Sequence, residues 1–212
     1  MRRWIFLCLA LLATLPVLGK IERHHFDTGK LGFGVQIEDL ESSYQVLALF
    51  VLPGERLRIR IEDTNPASSF RTLGKGGIWG HVGFRYWQWT APERPGLYSQ
   101  RIQREQDGAE MLLNLVVMVP QEEMQNGSLE GYRIGRYPNP TGNRHLPIYD
   151  PPAGFIRVTD DLVDLRISPH FTLGQFLCRQ EGDFPKFLVL DTKLLLKLEM
   201  LLEKVNHQGI QA

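Results

Sequence analysis

Residues 56–62 alternate strictly between charged and apolar side chains, and this pattern constrains the fold more than any other feature. The charged positions are Arg56, Arg58, Arg60 and Glu62, and the apolar positions are Leu57, Ile59 and Ile61. A period of two places the apolar side chains on one face of a β-strand and the charged ones on the other. The segment therefore predicts a strand with one face in a core.

Short apolar or aromatic runs separated by turn signals continue through residues 20–120. The runs are Val46–Val51, Phe84–Thr90, Leu97–Gln103 and Met111–Val119, and the turns are Pro53-Gly54, Pro95-Gly96 and Asp107-Gly108. Residues 63–80 contain Asn65-Pro66 and several glycines, so they predict a long loop. Short strands with regular turns favour an immunoglobulin-like β-sandwich over residues 20–120.

The first 19 residues have the pattern of a cleavable secretion signal. Two arginines precede an apolar run from Trp4 to Leu15, which Pro16 ends. The run is shorter than the roughly 20 residues that a membrane span needs, and Val17-Leu18-Gly19 predicts cleavage before Lys20. An uncleaved anchor is the alternative. We therefore expect an exported protein of the periplasm or cell envelope, with no membrane attachment after cleavage.

Charge and cysteine content narrow the classes of partner and the sources of stability. The chain has 24 basic and 24 acidic residues, and this balance disfavours nucleic acid as a partner. After signal removal only Cys178 remains, so no internal disulfide can form. Stability must come from packed cores.

Two further segments follow the predicted sandwich. Residues 121–167 are interrupted by prolines but keep Tyr132, Phe155 and Ile156, and they predict an extended strap packed on another part of the chain. Residues 168–212 predict a partial helical segment. In its first helix Thr172 and Gln175 form a capping box, and Phe171 with Phe176 forms a hydrophobic staple.

A second helix is predicted after Asp191, which is a good N-cap, and Gly209 is placed to end it. Its apolar stripe consists of Leu194, Leu195, Leu198, Leu201, Leu202 and Val205. We expect this stripe to lack a core within the chain. The helix from Leu194 to Val205 would then self-associate or dock on a partner.

Metal and nucleophile chemistry have little support in the sequence. The six histidines include the adjacent pair His24 and His25, but no His-x-His pair, no His-Glu-x-x-His motif and no cysteine pair. We expect no catalytic residue and no metal ligand. Cys178 is predicted to be a buried, inert thiol on the apolar side of the short helix.

One set of residues could form a ligand surface on the β-domain. The aromatic members are Trp79, Trp87 and Trp89, which could stack on sugars, and the basic members are Arg56, Arg58 and Arg60, which could bind an anionic polymer. For the tryptophans the alternative is sandwich core, because aromatic side chains dominate core burial. For the arginines the alternative is a solvated strand face. We favour both alternatives.

The segment Ser168–Cys178, with the sequence SPHFTLGQFLC, carries a family resemblance. It resembles the opening of the peptidase domain in zinc D-Ala-D-Ala carboxypeptidase-like peptidases, which cut peptidoglycan stem peptides. The leucine-rich helix ending in Asn206–Gly209 and the strap are also similar to members with a β-domain in front, so the resemblance covers about residues 130–209. It implies structural roles for five motif residues, namely Ser168, His170, Phe171, Thr172 and Gln175.

The resemblance implies peptidase chemistry that this sequence does not contain. In the family a Ser-Gly-Tyr-Arg strand and the His and Asp metal ligands follow the helix, whereas this chain stops at Ala212. Zinc is therefore expected only in a full-length relative. Either the gene is truncated or frameshifted, or the chain is a non-catalytic envelope protein.

Two functional hypotheses follow. The first is the N-terminal part of a peptidoglycan-directed zinc peptidase, inactive alone. The alternative is a non-catalytic binding module for peptidoglycan or for an envelope protein.

Overall fold

The computed structural model describes residues 27–135, 151–178 and 185–208. The predicted signal, residues 136–150 of the predicted strap and the predicted helix stop at Gly209 lie outside these residues. The described part is mainly β, as predicted, with several sheets and one longer helix.

The first sheet of the sandwich has five antiparallel strands in the order β2-β1-β4-β7-β6. These strands are β1 (Lys30–Ile37), β2 (Leu40–Tyr44), β4 (Arg56–Glu62), β6 (Ile78–Gly83) and β7 (Tyr86–Thr90). The second sheet has four strands in the order β3-β9-β8-β5. They are β3 (Val46–Val51), β5 (Phe70–Gly74), β8 (Gly96–Arg104) and β9 (Glu110–Val117).

The second sheet combines a hairpin with a parallel edge pair. Strands β8 and β9 are antiparallel and joined through Asp107-Gly108, which confirms the predicted hairpin. Strand β3 runs parallel to β9, with Val46 opposite Leu112 and Val51 opposite Val117. Parallel neighbours cannot be joined by a tight turn, and here the rest of the sandwich separates the two strands in sequence.

The sandwich core lies between the two sheets. Strand β4 confirms its predicted pattern, since Leu57, Ile59 and Ile61 are buried while the alternating charged positions are exposed. Strands β3 and β9 contribute Leu47, Leu49, Leu113 and Leu115, among others, from the opposite sheet. Burial of such side chains contributes about 1.5–3 kcal/mol each.

The long loop predicted for residues 63–80 is wrong, because β5 and β6 lie within or begin in it. Its glycines lie where the backbone passes close to core side chains. Gly77 has a φ of +73°, and a Cβ there would lie 2.2 Å from Nε1 of Trp89. Glycine tolerates both the left-handed backbone and the close approach. The sequence predicted a long loop, whereas the structure has two edge strands there.

A third sheet has three strands, and the predicted strap contributes one of them. Its strands are β10 (Val119–Pro120), β13 (Gly154–Arg157) and β14 (Phe187–Leu188), all paired antiparallel. A small ladder of β11 (Ser128–Leu129) and β12 (Tyr132–Arg133) lies between β10 and β13 in sequence. Phe155 and Ile156 are buried in this layer.

A second core joins the C-terminal residues to the outer face of the β3-β9-β8-β5 sheet. Its buried members are Ala48, Val116, Met118, Ile156, Leu162, Ile167, Leu173, Leu190 and Leu195. Strands β3 and β9 therefore bury both faces, because alternate residues point into the two cores. The expectation that the C-terminal segment lacks a core is wrong: the outer sheet face supplies one.

Two helices complete the fold, α1 (Asp160–Val163) and α2 (Thr192–His207). Asp191 caps α2 as predicted, since its Oδ1 accepts from the backbone N–H groups of Lys193 at 2.6 Å and Leu194 at 3.2 Å. The hydroxyl of Thr192 donates to the carbonyl of Ala48 on β3 at 3.1 Å. The start of α2 is thereby fixed to the sandwich. No helix among the described residues is long and apolar enough to cross a membrane.

Candidate functional site

The family-motif segment folds into a tight turn followed by a 3-10 helix, Leu173–Phe176. The backbone N–H of Thr172 donates to Oε1 of Gln175 at 2.8 Å, which is the Gln175 half of the predicted capping box. The rings of Phe171 and Phe176 meet edge to face at 5.9 Å, as the predicted staple requires. Ser168 is fully buried. The hydrogen bond and the ring contact stabilise the conformation of the segment.

His170 connects three parts of the chain that are far apart in sequence. Its Nδ1 lies 2.6 Å from Oε2 of Glu199 on α2, and its Nε2 lies 2.9 Å from the carbonyl oxygen of Asp27 before β1. Its backbone N–H also donates to Oε1 of Glu199 at 2.9 Å. The imidazole is therefore engaged on both sides, which agrees with a structural role.

A second polar cluster lies one helical turn further along α2. Glu203 accepts from Nζ of Lys30 at 2.8 Å and from the hydroxyl of Tyr44 at 3.0 Å. Burial alone would raise the pKa of Glu203, but these two hydrogen bonds outweigh it and the pKa is lowered. Burial, followed by the carboxylates of Glu203 and Glu199, raises the pKa of Tyr44. Strands β1 and β2 are thus tied to α2 by ionised and hydrogen-bonded groups.

The sequence analysis missed Glu199 and Glu203, the two glutamates by which α2 binds the motif turn and the first two strands. Glu199 has 0% exposure and lies four residues after the buried Leu195, hence on the same helix face. An acidic residue on the core side of an amphipathic helix is the signal that could have indicated a buried polar partner.

The predicted apolar stripe of α2 only partly faces the core. Leu195 has 0% exposure, whereas Leu194 has 45% and Leu201 has 58%. The buried face is centred on Thr192, Leu195 and Glu199. Two of the six stripe residues, Leu194 and Leu201, are consequently exposed beside the packed face.

The candidate ligand surface is divided between the two faces of the first sheet. Leu57 lies opposite Trp89 and Ile59 opposite Trp87, so both tryptophans share the core face. Trp89 is fully buried, and it cannot bind a ligand at the surface. Trp79 lies opposite Trp89 and donates its Nε1–H to Oε1 of Gln100 at 3.0 Å in the sandwich interior. The three tryptophans therefore pack in or against the sandwich core, the alternative that the sequence analysis favours.

The three arginines lie together on the opposite, outer face of the same sheet. Arg56, Arg58 and Arg60 are exposed. Arg58 forms an ion pair with Glu38 at 2.6 Å, and this contact lowers the pKa of the Glu38 carboxyl. No ion pair within the described ranges involves Arg56 or Arg60. Two guanidinium groups are therefore available on this face.

An open groove of about 960 Å³ lies next to Arg60. Its walls are the start of β1, where the register with β2 shifts, and the turn from Phe84 to Tyr86. Phe84 has 74% exposure. Among its lining residues are Leu31, Phe33, Arg60, Glu62, Phe84 and Tyr86. The groove combines exposed aromatic and charged groups, and the sequence prediction did not include Phe84.

Arg85 also lines the groove, and its backbone has a φ of +59°. Its guanidinium donates to the carbonyls of Asp63 at 3.1 Å and Ser68 at 3.0 Å, and it lies 5.1 Å from the ring centroid of Phe84. Asp63 also pairs with Arg104 at 3.0 Å. Arg85 is thus a structural residue that presents Phe84 to solvent.

No group of three or more potential metal ligands occurs in the part of the chain that the structure describes. His81, His170 and His207 lie on β6, in the motif turn and at the end of α2. Cys178 is exposed because the 3-10 helix already ends at Phe176. The prediction of a buried thiol is therefore wrong.

Comparisons with known proteins leave the family open. No protein-family model matches the sequence, and no curated protein matches it either. Among solved structures, a match is the crystal structure of the titin M3 domain, with 13% sequence identity and a TM-score of 0.26. The match covers 40% of this chain and 97% of that one. A likeness at this level carries no conclusion about fold or function.

Proposed function

We propose that this chain is an exported cell-envelope protein of the zinc D-Ala-D-Ala carboxypeptidase-like lineage, inactive as a peptidase on its own. The supporting observation is the folded motif segment, in which His170 is used on both ring nitrogens and bound to Glu199 of α2. Such a histidine positions a helix and is not free to bind metal.

The sandwich in front of the motif is, in this proposal, an immunoglobulin-like domain. Its strand orders support the assignment: β4-β7-β6 takes the places of strands B, E and D, and β5-β8-β9 takes those of C, F and G. The hairpin β1-β2 extends the first sheet beyond that arrangement. The fold alone does not decide between binding and catalysis, which depend on the residues of a site.

The test is an assay of the purified mature chain on muropeptides ending in D-Ala-D-Ala, with an active zinc carboxypeptidase as positive control. We expect no release of D-alanine, with or without added zinc, and no stoichiometric zinc by elemental analysis. Release of D-alanine that a chelator abolishes would contradict the proposal. So would one zinc per chain that is lost when two histidines are replaced.

A non-catalytic binding function has its own supporting observation, the groove beside Arg60 and Phe84. A guanidinium without an ion-pair partner can bind a carboxylate, and an exposed aromatic ring can stack on a sugar face. Stem peptides and muramic acid offer both groups. In co-sedimentation with purified sacculi, Arg60→Ala and Phe84→Ala should each weaken binding, whereas Arg101→Ala on the other sheet should not. Equal binding by all three variants would exclude the groove as the binding site.

A further inference from the structure

Two edge strands of the sandwich, β2 and β3, are covered by the C-terminal part of the chain. On β3 the backbone N–H of Ala48 donates to the carbonyl oxygen of Ile167 at 2.7 Å. The carbonyl of Ala48 accepts from the hydroxyl of Thr192 at 3.1 Å. Helix α2 lies beside β2, where Glu203 accepts from the hydroxyl of Tyr44 at 3.0 Å. Neither of these two edges is therefore free to pair with a further strand.

The other two edge strands of the sandwich are β5 and β6. Strand β5 carries the exposed Arg71, and a charged side chain on an edge strand opposes pairing with another chain. Strand β6 has no such charge, because residues 76–84 contain no Asp, Glu, Lys, Arg or Pro. Among the described residues no strand pairs with the outer edge of β6. This edge is therefore the one that neither a covering element nor a charge protects.

Exposed apolar side chains lie at both ends of β6. Ile78 begins the strand with 73% exposure, and Phe84 directly follows the strand with 74% exposure. From Ile78 to His81 the strand pairs regularly with β7, and its register shifts only beside the turn. An edge strand presents a row of unpaired backbone N–H and C=O groups. On β6 this row lies between two apolar side chains that have little contact with the rest of the protein.

We propose that β6 pairs antiparallel with β6 of a second copy of this chain, which gives a two-fold symmetric dimer. In such a pair the start of one strand lies beside the end of the other. Ile78 of each copy then lies near Phe84 of the other copy, and cross-strand pairs of apolar and aromatic side chains are stabilising. A two-fold interface must be complementary to itself. Strand β6 meets this requirement because it contains no acidic residue, lysine or arginine that would face its own copy.

The exposed side of α2 is the competing surface for self-association, and the sequence predicts it. Leu201 has 58% exposure there. Lys197 and Lys204 lie four residues before it and three residues after it, hence on the same helix face, and both are exposed. Two copies of this face would bring lysines close to lysines. The uncharged edge of β6 is therefore favoured over α2 as the dimer interface.

The interface is tested by sedimentation equilibrium of the full mature chain over about a hundredfold range of concentration, because dimerisation follows mass action. We expect a monomer–dimer equilibrium. Ile78→Lys should raise the dissociation constant of the dimer at least about tenfold, since it adds a cation at two symmetric positions. Leu201→Lys, the matched control on α2, should leave that constant unchanged. A monomer at every concentration, or a dimer that Ile78→Lys leaves intact, would overturn the proposal.

Hydrogen exchange of the wild-type chain is a second measurement, and it needs no variant. The β6 amides that face the outer edge are hydrogen-bonded only in the dimer, so their exchange should accelerate when the protein is diluted below the dissociation constant. The amides of β4, a central strand of the same sheet, are the internal reference and should exchange at the same rate at every concentration. Exchange of β6 that does not depend on concentration would overturn the edge pairing. A dependence found on α2 instead would overturn it as well.

Discussion

Asn114 donates its side-chain N–H to the carbonyl oxygen of Arg166 at 2.7 Å, and this bond joins the last sandwich strand to the segment before the motif turn. Asn114 is buried on the outer face of β9, among the apolar residues of the second core. Its Oδ1 accepts from the hydroxyl of Ser99 on β8 at 2.7 Å. A fully bonded polar group inside an apolar layer fixes the position of one layer on the other.

Replacing Asn114 by leucine should destabilise the protein by about 1–3 kcal/mol, because the part-buried hydrogen bond to the Arg166 carbonyl would be lost and the Ser99 hydroxyl would lose its acceptor. Urea unfolding of the full chain measures the change. The matched control is Ser99→Ala, which keeps the Asn114–Arg166 bond and should cost about 0.5–1.5 kcal/mol. An Asn114→Leu variant as stable as the wild type would show that the bond does not hold the two layers together.

The two sides of α2 should respond very differently to truncation. Leu195→Ala opens a cavity in the second core and should cost about 2–5 kcal/mol in unfolding free energy. Leu201→Ala, on the exposed side of the same helix, should change stability by less than about 0.5 kcal/mol. Equal effects of the two substitutions, measured by denaturant unfolding, would mean that α2 does not pack on β3 as described.

The β8–β9 hairpin should weaken in acid. The hydrogen bond from Arg104 holds the pKa of Asp107 at about 2, below its ordinary value of 3.8. A carboxyl group with a lowered folded-state pKa contributes its full stabilisation above 3.8, and the contribution is lost as pH falls from there towards 2. Asp107→Asn should flatten the loss of stability over this range in acid titrations. Asp164→Asn, which alters an exposed acid away from Arg104, is the matched control.

The mature protein should begin at or near Lys20. Expression with the native leader in a bacterial host, followed by N-terminal sequencing of the exported material, tests this prediction. A protein that still begins at Met1 and remains with the membrane fraction would instead support the uncleaved anchor.

Local signals predicted several elements because the forces that form them act over a few residues. The alternation at 56–62, the Asp107-Gly108 turn and the Asp191 cap each specify a backbone shape through neighbouring side chains. The motif turn was likewise predictable, since Phe171, Thr172 and Gln175 bond within a single turn.

Other features depended on partners that are distant in sequence. The glycines of 74–80 indicated a loop, but Gly74 and Gly80 lie in the edge strands β5 and β6, and only Gly76 and Gly77 lie in the turn between them. The arginines and the tryptophans are both candidates for a ligand surface in the sequence, and strand pairing places them on opposite faces of the sheet. Alternation predicts which residues of one strand share a face. It does not predict which residues of another strand lie beside them.

The sequence by itself determined the mainly-β character, the position of the hairpin, the caps and the motif turn, because each depends on contacts within a few residues. Only the tertiary structure decided that the C-terminal helix has a core to pack on and that His170 lies between Glu199 and Asp27. Glu199 is 29 residues from His170, and Asp27 is 143 residues from it. Contacts at such separations arise from how the sheets and helix pack together, and no local pattern encodes that arrangement.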